Sequence, residues 1–163
     1  MNNTEIINKI KSSFKNISID ENHSERIIST PKEWKELSKF LRNDYDLFFD
    51  SMMCITGIDE GVDSNNLGVV YNLHSMKYNH KIEVYIPVDK KTPNIFSVEK
   101  IWRMAEWFER EIYDMYGIIF DGHSDLRRIL LPADWEGFPL RKDYEFPKTW
   151  HGIVVDKMKD GWE

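Results

Sequence analysis

The chain has 163 residues, 41% of them apolar and 13% aromatic, enough for one domain with a real core and too apolar for a disordered segment. Its formal charge of −6 is spread evenly, 9 basic against 12 acidic residues up to residue 80 and 13 against 16 beyond it, which excludes the basic footprint of a nucleic-acid binder. No apolar run approaches the roughly 18–20 residues of a membrane span, and the first residues carry no targeting pattern, so a soluble chain is expected.

The spacing of Ile6, Ile7, Ile10 and Phe14 predicts a helix over Thr4 to Phe14, followed by a short strand at Arg26–Ser29. A second helix begins with clear signals: Thr30 as N-cap, Pro31 at the first helical position and Glu33 three residues after the cap. Trp34, Leu37, Phe40 and Leu41 form its apolar face, it ends near Asn43, and Tyr45–Phe49 reads as extended. Three strands follow, Met53–Ile58, Leu67–Met76 and Ile82–Val88, joined by the polar Asp59–Asn66 loop and a turn at Lys77–His80. Ser97 to Tyr116 turns helical again, with Trp102, Ala105, Phe108 and Ile112 on one face and Gly117 as its stop. Arg128–Leu131 reads as a short strand.

Helices on either side of a run of strands predict an α+β fold over residues 1–131, a mainly antiparallel or mixed sheet packed on helices. Residues 132–163 hold three Pro, three Gly and six aromatics with no regular period, which predicts an extended C-terminal arm that lies on a partner. Pro139, Leu140, Arg141, Lys142 and Tyr144 are its candidate contacts.

Chemistry is sparse. Cys54 is the single cysteine, so the chain by itself offers no disulfide, thiolate-held iron–sulfur cluster or cysteine zinc site. Among Met52, Met53 and Ile55 it reads as a buried small hydrophobe. Glycine-rich phosphate loops, the H-E-x-x-H helix and the G-x-S-x-G elbow are all missing. His23 and His80 sit in polar, loop-like surroundings that predict solvated rings, and His74 reads as a strand residue. His123 and Asp125 could share a proton, and with Glu111 they make the one candidate for a free-standing acid–base enzyme.

The dense feature is Glu109-Arg110-Glu111-Ile112-Tyr113-Asp114, leading to His123, Arg127 and Arg128. On a helix, Glu106–Arg110 and Arg110–Asp114 are i,i+4 pairs, and as exposed pairs they contribute only about 0.3–0.5 kcal/mol each. A sharper expectation is that helix carboxylates reach Arg127, Arg128 or Arg141 and pin a segment without secondary structure of its own. The planar guanidinium fork suits that task.

At these residues the chain resembles the thirty-kilodalton subunit of the proton-pumping NADH:quinone oxidoreductase, respiratory complex I. The family pattern is met by Glu109-Arg110-Glu111, Asp114, Met115-Tyr116, His123, Arg127 and Ile129-Leu130, with every gap matched across 22 residues. It continues through Asp134-Trp135-Glu136-Gly137, Pro139-Leu140-Arg141-Lys142-Asp143-Tyr144 and His151-Gly152-Ile153. Ser124 departs from the expected Pro after the histidine. The resemblance is sharp over residues 98–153 and general before them. It implies a cofactor-free structural subunit of the hydrophilic arm, packed on the quinone-site subunit at the cytoplasmic face of the membrane, with FMN and Fe–S clusters held by other chains. It implies no catalytic, cofactor-binding or metal-binding residue here. Related membrane-bound hydrogenases and ferredoxin- or F420-linked oxidoreductases use similar subunits.

Overall fold

The computed structural model describes residues 2–20 and 23–154, without the side chains of residues 23–25. Helix α1 (Asn3–Ser13) opens on a capping box, in which the Asn2 side chain takes the Glu5 N–H and the Glu5 carboxylate takes the Asn2 N–H. After β1 (Ser18–Asp20) and β2 (His23–Ile28), α2 (Pro31–Asn43) begins where the sequence signals place it, with Thr30 Oγ1 accepting from the Glu33 N–H. Strands β3 (Ser51–Asp59), β4 (Asn66–Ser75) and β5 (His80–Asp89) form the antiparallel side of a five-stranded sheet ordered β1-β2-β5-β4-β3. Only β2 and β5 pair in parallel, so the sheet is mixed and the fold is α+β.

Ile6, Ile7 and Ile10 of α1 and Trp34, Leu37 and Leu41 of α2 bury their apolar stripes in one core with Tyr71, Leu73, Val84 and Ile86 of the sheet. Val70 is buried too, although it alternates with core-facing Val69 and Tyr71. Gly68 lies under the ring of Tyr85, where any Cβ would collide with the aromatic edge. Beside that ring Arg26 pairs with Glu83.

A smaller unit follows. Strands β6 (Asn94–Phe96) and β7 (Ile119–Asp121) lie parallel and are joined through α3 (Ala105–Tyr116), which packs on β3. The predicted helix over Ser97–Tyr116 is therefore shortened by eight residues at its start. Two tertiary bonds divert that stretch: the Val98 N–H goes to the Glu109 carboxylate (2.7 Å), and the Trp102 indole to the Phe49 carbonyl (2.8 Å). Tight turns, Ile101 N–H to Val98 C=O and Ala105 N–H to Trp102 C=O (both 2.9 Å), fill the gap.

Three other expectations change. Tyr45–Phe49 is a turn rather than extended, with Asp44 Oδ1 accepting from the N–H groups of Asp46 (3.0 Å) and Leu47 (3.1 Å). His80 is buried, not solvated, and its Nε2 donates to the Leu47 carbonyl at 2.6 Å. Arg128–Leu131 is not a strand. The side chain of His23 and residues 155–163 of the expected arm lie outside the described residues. No helix among the described residues is long and apolar enough to cross a membrane.

Candidate functional site: a buried charge cluster beneath the C-terminal segment

Helix α3 has an apolar stripe through Ala105 and Ile112, yet it also buries three charged residues, Glu109, Arg110 and Asp114. Such burial is costly unless every polar atom finds a partner. The structure supplies those partners mainly from the chain's own backbone.

Asp114, fully buried, is surrounded by donors on both carboxylate oxygens. Its Oδ2 takes the consecutive N–H groups of Ile129 (3.0 Å), Leu130 (2.7 Å) and Leu131 (2.9 Å). Its Oδ1 takes the Arg128 guanidinium at 2.7 Å. This is why Arg128–Leu131 forms no strand: a single carboxylate has captured the N–H groups a ladder would use. Burial pushes the Asp114 carboxyl upward, but the N–H groups and Arg128 outweigh it and hold its pKa below the ordinary value.

Arg110 does not pair with Glu106 or Asp114 as the i,i+4 spacing suggests. Its guanidinium donates to the carbonyls of Arg127 (3.2 Å) and Arg128 (3.4 Å) and lies over the Trp107 ring. Asp114 and Arg110 thus clamp the N–H and C=O groups of one short segment from the same helix, one turn apart. Arg128 also reaches onward, donating to the Asp114 and Gly137 carbonyls at 3.0 and 2.8 Å. Arg127 does not reach the helix carboxylates: its side chain is 72% exposed and pairs with Asp125. Arg141 turns inward to the Tyr116 carbonyl at 2.6 Å rather than to a carboxylate.

Glu109 holds the other end of the helix. Its carboxylate accepts from the Ser97 hydroxyl (2.6 Å) and the Val98 N–H (2.7 Å), tying α3 to the end of β6. Burial pushes its pKa up to about 7, the Ser97 and Val98 donors work against that shift, and the charge of Glu99 adds to it. His123 lies close by, with Nε2 4.0 Å from Glu109 and Nδ1 3.6 Å from Glu99. Its side chain is fully buried, and the hydrogen bonds assign a tautomer: Nε2–H donates to the Glu106 carbonyl (3.0 Å) and Nδ1 accepts from the Asp125 N–H (3.0 Å). Sequence reading missed Ser97, Glu99 and Tyr71, whose role depends on distant segments meeting. The Tyr71 hydroxyl is buried, and burial, with the Glu109 charge as a second cause, raises its pKa well above the ordinary value.

The remaining residues scatter around this cluster. Glu111 is exposed on another face of α3, and no hydrogen bond or ion pair joins it to His123 or Asp125 among the described residues. The structure joins Asp125 to His123 through the Asp125 N–H and does not bring Glu111 to them. Cys54 is half-buried and takes an Asn72 amide at 3.4 Å. No group of three or more His, Cys, Asp or Glu side chains among the described residues could hold a metal ion.

Past the helix the chain leans back on the domain. Gly117 ends α3 at φ +72°, and a Cβ there would run into the Phe138 ring. Phe138 in turn sits beneath the guanidinium groups of Arg128 and Arg141. The Lys142 N–H donates to Asp59 Oδ2 at 2.9 Å, while Asp59 Oδ1 takes Lys90 and the Gly61 N–H. Pro139 is half-buried and Tyr144 stacks edge-on with Phe146. Among the described residues from 131 to 154, none is fully buried. Gly117→Ala meets both a left-handed backbone and the Phe138 ring, so it is expected to cost about 1–3 kcal/mol, read as a lowered thermal midpoint.

Residues 27–149 match the family described as respiratory-chain NADH dehydrogenase, 30 Kd subunit. A protein of Chloroherpeton thalassium, named as an NADH-quinone oxidoreductase subunit, is 50% identical over 123 residues, covering 75% of this chain and 50% of that one. Its counterpart in Chlorobium phaeobacteroides, of the same name, is 45% identical, covering 76% of this chain and 74% of that one. The chain thus spans about half the length of several curated relatives it matches, and three quarters of another. Two solved structures share the fold: Nqo5 as a trypsin-resistant fragment (TM-score 0.64, 24% identity, 76% of this chain and 98% of that one), and a chain of an archaeal membrane-bound sulfane sulfur reductase (TM-score 0.75, 20% identity, 98% of both). With the match covering most of its length, the chain belongs to the family of the 30 kDa subunit of respiratory-chain NADH dehydrogenase.

Proposed function

We propose that this chain is a cofactor-free structural and assembly subunit of the hydrophilic arm of a proton-translocating NADH:quinone oxidoreductase. In this reading FMN and Fe–S clusters reside in partner subunits, and the chain sits peripherally at the cytoplasmic face of the membrane, against the quinone-site subunit. It supports electron transfer from NADH to quinone without performing a step of it. The observation that carries the reading is the use made of the family's charged residues. Glu109, Arg110, Asp114 and Arg128 spend their side chains on the chain's own backbone and on one another, fixing where residues 127–142 emerge. Catalytic groups need access to a substrate, whereas Glu109, Arg110 and Asp114 are buried.

Residues 132–163 are the proposed partner-contacting arm. Among its described residues full burial is missing, and Leu140 (49% exposed) and Phe146 (52% exposed) offer apolar surface. Arg141 anchors the arm to the domain, which leaves Pro139, Leu140, the Lys142 side chain and Tyr144 for the partner.

The test is purification of the natively expressed, tagged protein. Co-purifying chains carrying flavin and Fe–S clusters, with NADH:quinone activity, are expected; hydrogenase-type partners would move the assignment to the related complexes. The chain freed from its partners should absorb only in the ultraviolet through its 6 Trp and 7 Tyr. Incubation with FMN, or with iron and sulfide, should add no stoichiometric visible band, and one cofactor per chain would overturn the reading.

A further inference from the structure

Strand β3 closes one end of the five-stranded sheet, with α3 packed on it. Pairing with β4 uses one side of the strand. On the other side, among the described residues, no backbone hydrogen bond reaches residues 51–58. Natural sheets defend such an edge with lysine, proline, a β-bulge or a covering element. Ser51-Met52-Met53-Cys54-Ile55-Thr56-Gly57-Ile58 holds no charge and no proline, and its one irregularity is a register shift between Met52 and Cys54.

Beside this edge runs a cleft of about 290 Å³. The four consecutive residues Cys54, Ile55, Thr56 and Gly57 line one side of it. Successive strand side chains point to opposite faces, so four in a row lining one cleft means that the main-chain edge itself borders it. Phe108, Ile112 and Met115 of α3 form the opposite wall with Tyr116, and Leu140 stands at the rim. One charged group lines it: Glu111, which is exposed and whose carboxylate makes no hydrogen bond or ion pair among the described residues. Its negative field, with that of Asp59, is felt at the Tyr116 hydroxyl, whose pKa is raised by burial first and by these two carboxylates next.

We infer that the β3 edge accepts an extended segment of a partner polypeptide as a sixth strand of the sheet, with an apolar side chain of that segment entering the cleft and a Lys or Arg beside it meeting Glu111. Unpaired main-chain groups supply register and affinity, and the cleft supplies selectivity, as in strand addition generally. Charge decides the occupant. A second copy of this chain pairing edge to edge would bring like-charged cleft walls together in a chain of net charge −6, whereas a basic segment neutralises Glu111. The inference rests on the reading of the chain as an assembly subunit, and it adds a second contact surface to the proposed C-terminal arm.

The experiment uses the native assembly purified through this chain. Thr56, exposed on the edge, is replaced by a photo-crosslinking amino acid, and in separate strains Glu111→Lys and Thr56→Lys are introduced. The crosslinked peptide is expected to come from another subunit and to contain Lys or Arg next to an apolar residue. Amides of residues 53–58 should exchange more slowly in the assembly than in the isolated chain. Both lysine variants should lower the recovery of that subunit about tenfold or more, with the thermal midpoint of the isolated chain unchanged. A crosslink to a second copy of this chain, or edge amides equally exposed in the assembly with recovery unaffected, overturns the inference while leaving the assembly role standing. Failure of any subunit to co-purify with the unmodified chain would instead remove the assembly reading itself.

Discussion

Asp114→Ala is expected to cost about 3–5 kcal/mol of folding stability, among the largest losses of any single substitution in this chain. The change strands the N–H groups of Ile129, Leu130 and Leu131 and leaves the Arg128 guanidinium, 14% exposed, without its carboxylate. Arg128→Ala should cost less, about 1.5–3 kcal/mol, because Asp114 keeps its three main-chain donors. That asymmetry separates a backbone clamp from a simple ion pair, in which the two truncations would cost alike. Chemical denaturation of both variants at neutral pH measures it. The pH dependence follows from the depressed pKa of Asp114. A carboxyl held below its unfolded value stabilises the fold above about pH 4, and this contribution fades as the pH falls through the folded value. Asp114→Ala should therefore flatten the acid limb of the stability profile, and an unchanged limb would show that the clamp does not depend on charge.

Glu109 predicts the opposite slope. Its folded pKa of about 7 lies above the ordinary carboxyl value, so the folded protein holds a proton that the unfolded chain releases. Its effect on stability is most favourable below about pH 4 and declines as the pH rises through about 7. The shift corresponds to a loss on the order of 3 kcal/mol between the two limits. Glu109→Gln keeps an oxygen for the Val98 N–H and presents an amide to Ser97 Oγ while removing the ionisation. This variant should be more stable than the natural protein at pH 8 and close to it at pH 5. Denaturant midpoints at the two pH values decide the matter, and parallel curves for the two proteins would place the titration elsewhere. His123 and Glu99 face the same site, so their presence in both proteins makes the comparison a difference at Glu109 alone.

Local signals in the amino-acid sequence were sufficient for the elements that carry their own period or punctuation. Thr30-Pro31 starts α2 because the cap and the preset proline φ act within one turn, and the alternation of Ile82, Val84 and Ile86 specifies β5 because their side chains share one face. The family, too, was legible in the charged residues from Glu109 to Leu130, since their identities and gaps are linear facts. The purpose of those charges was not. Spacing paired Arg110 with Glu106 and Asp114, while the folded chain gives its guanidinium to the carbonyls of residues 127 and 128. Arg128–Leu131 has the composition of a strand and becomes an irregular segment because Asp114, fourteen or more residues earlier, takes its N–H groups. The same physics shortens the start of α3, moves His80 from solvent to the Leu47 carbonyl and pairs β6 with β7 across the helix between them. In each case a buried polar group must find a partner, and proximity in the fold, which no local pattern encodes, determines which one it finds.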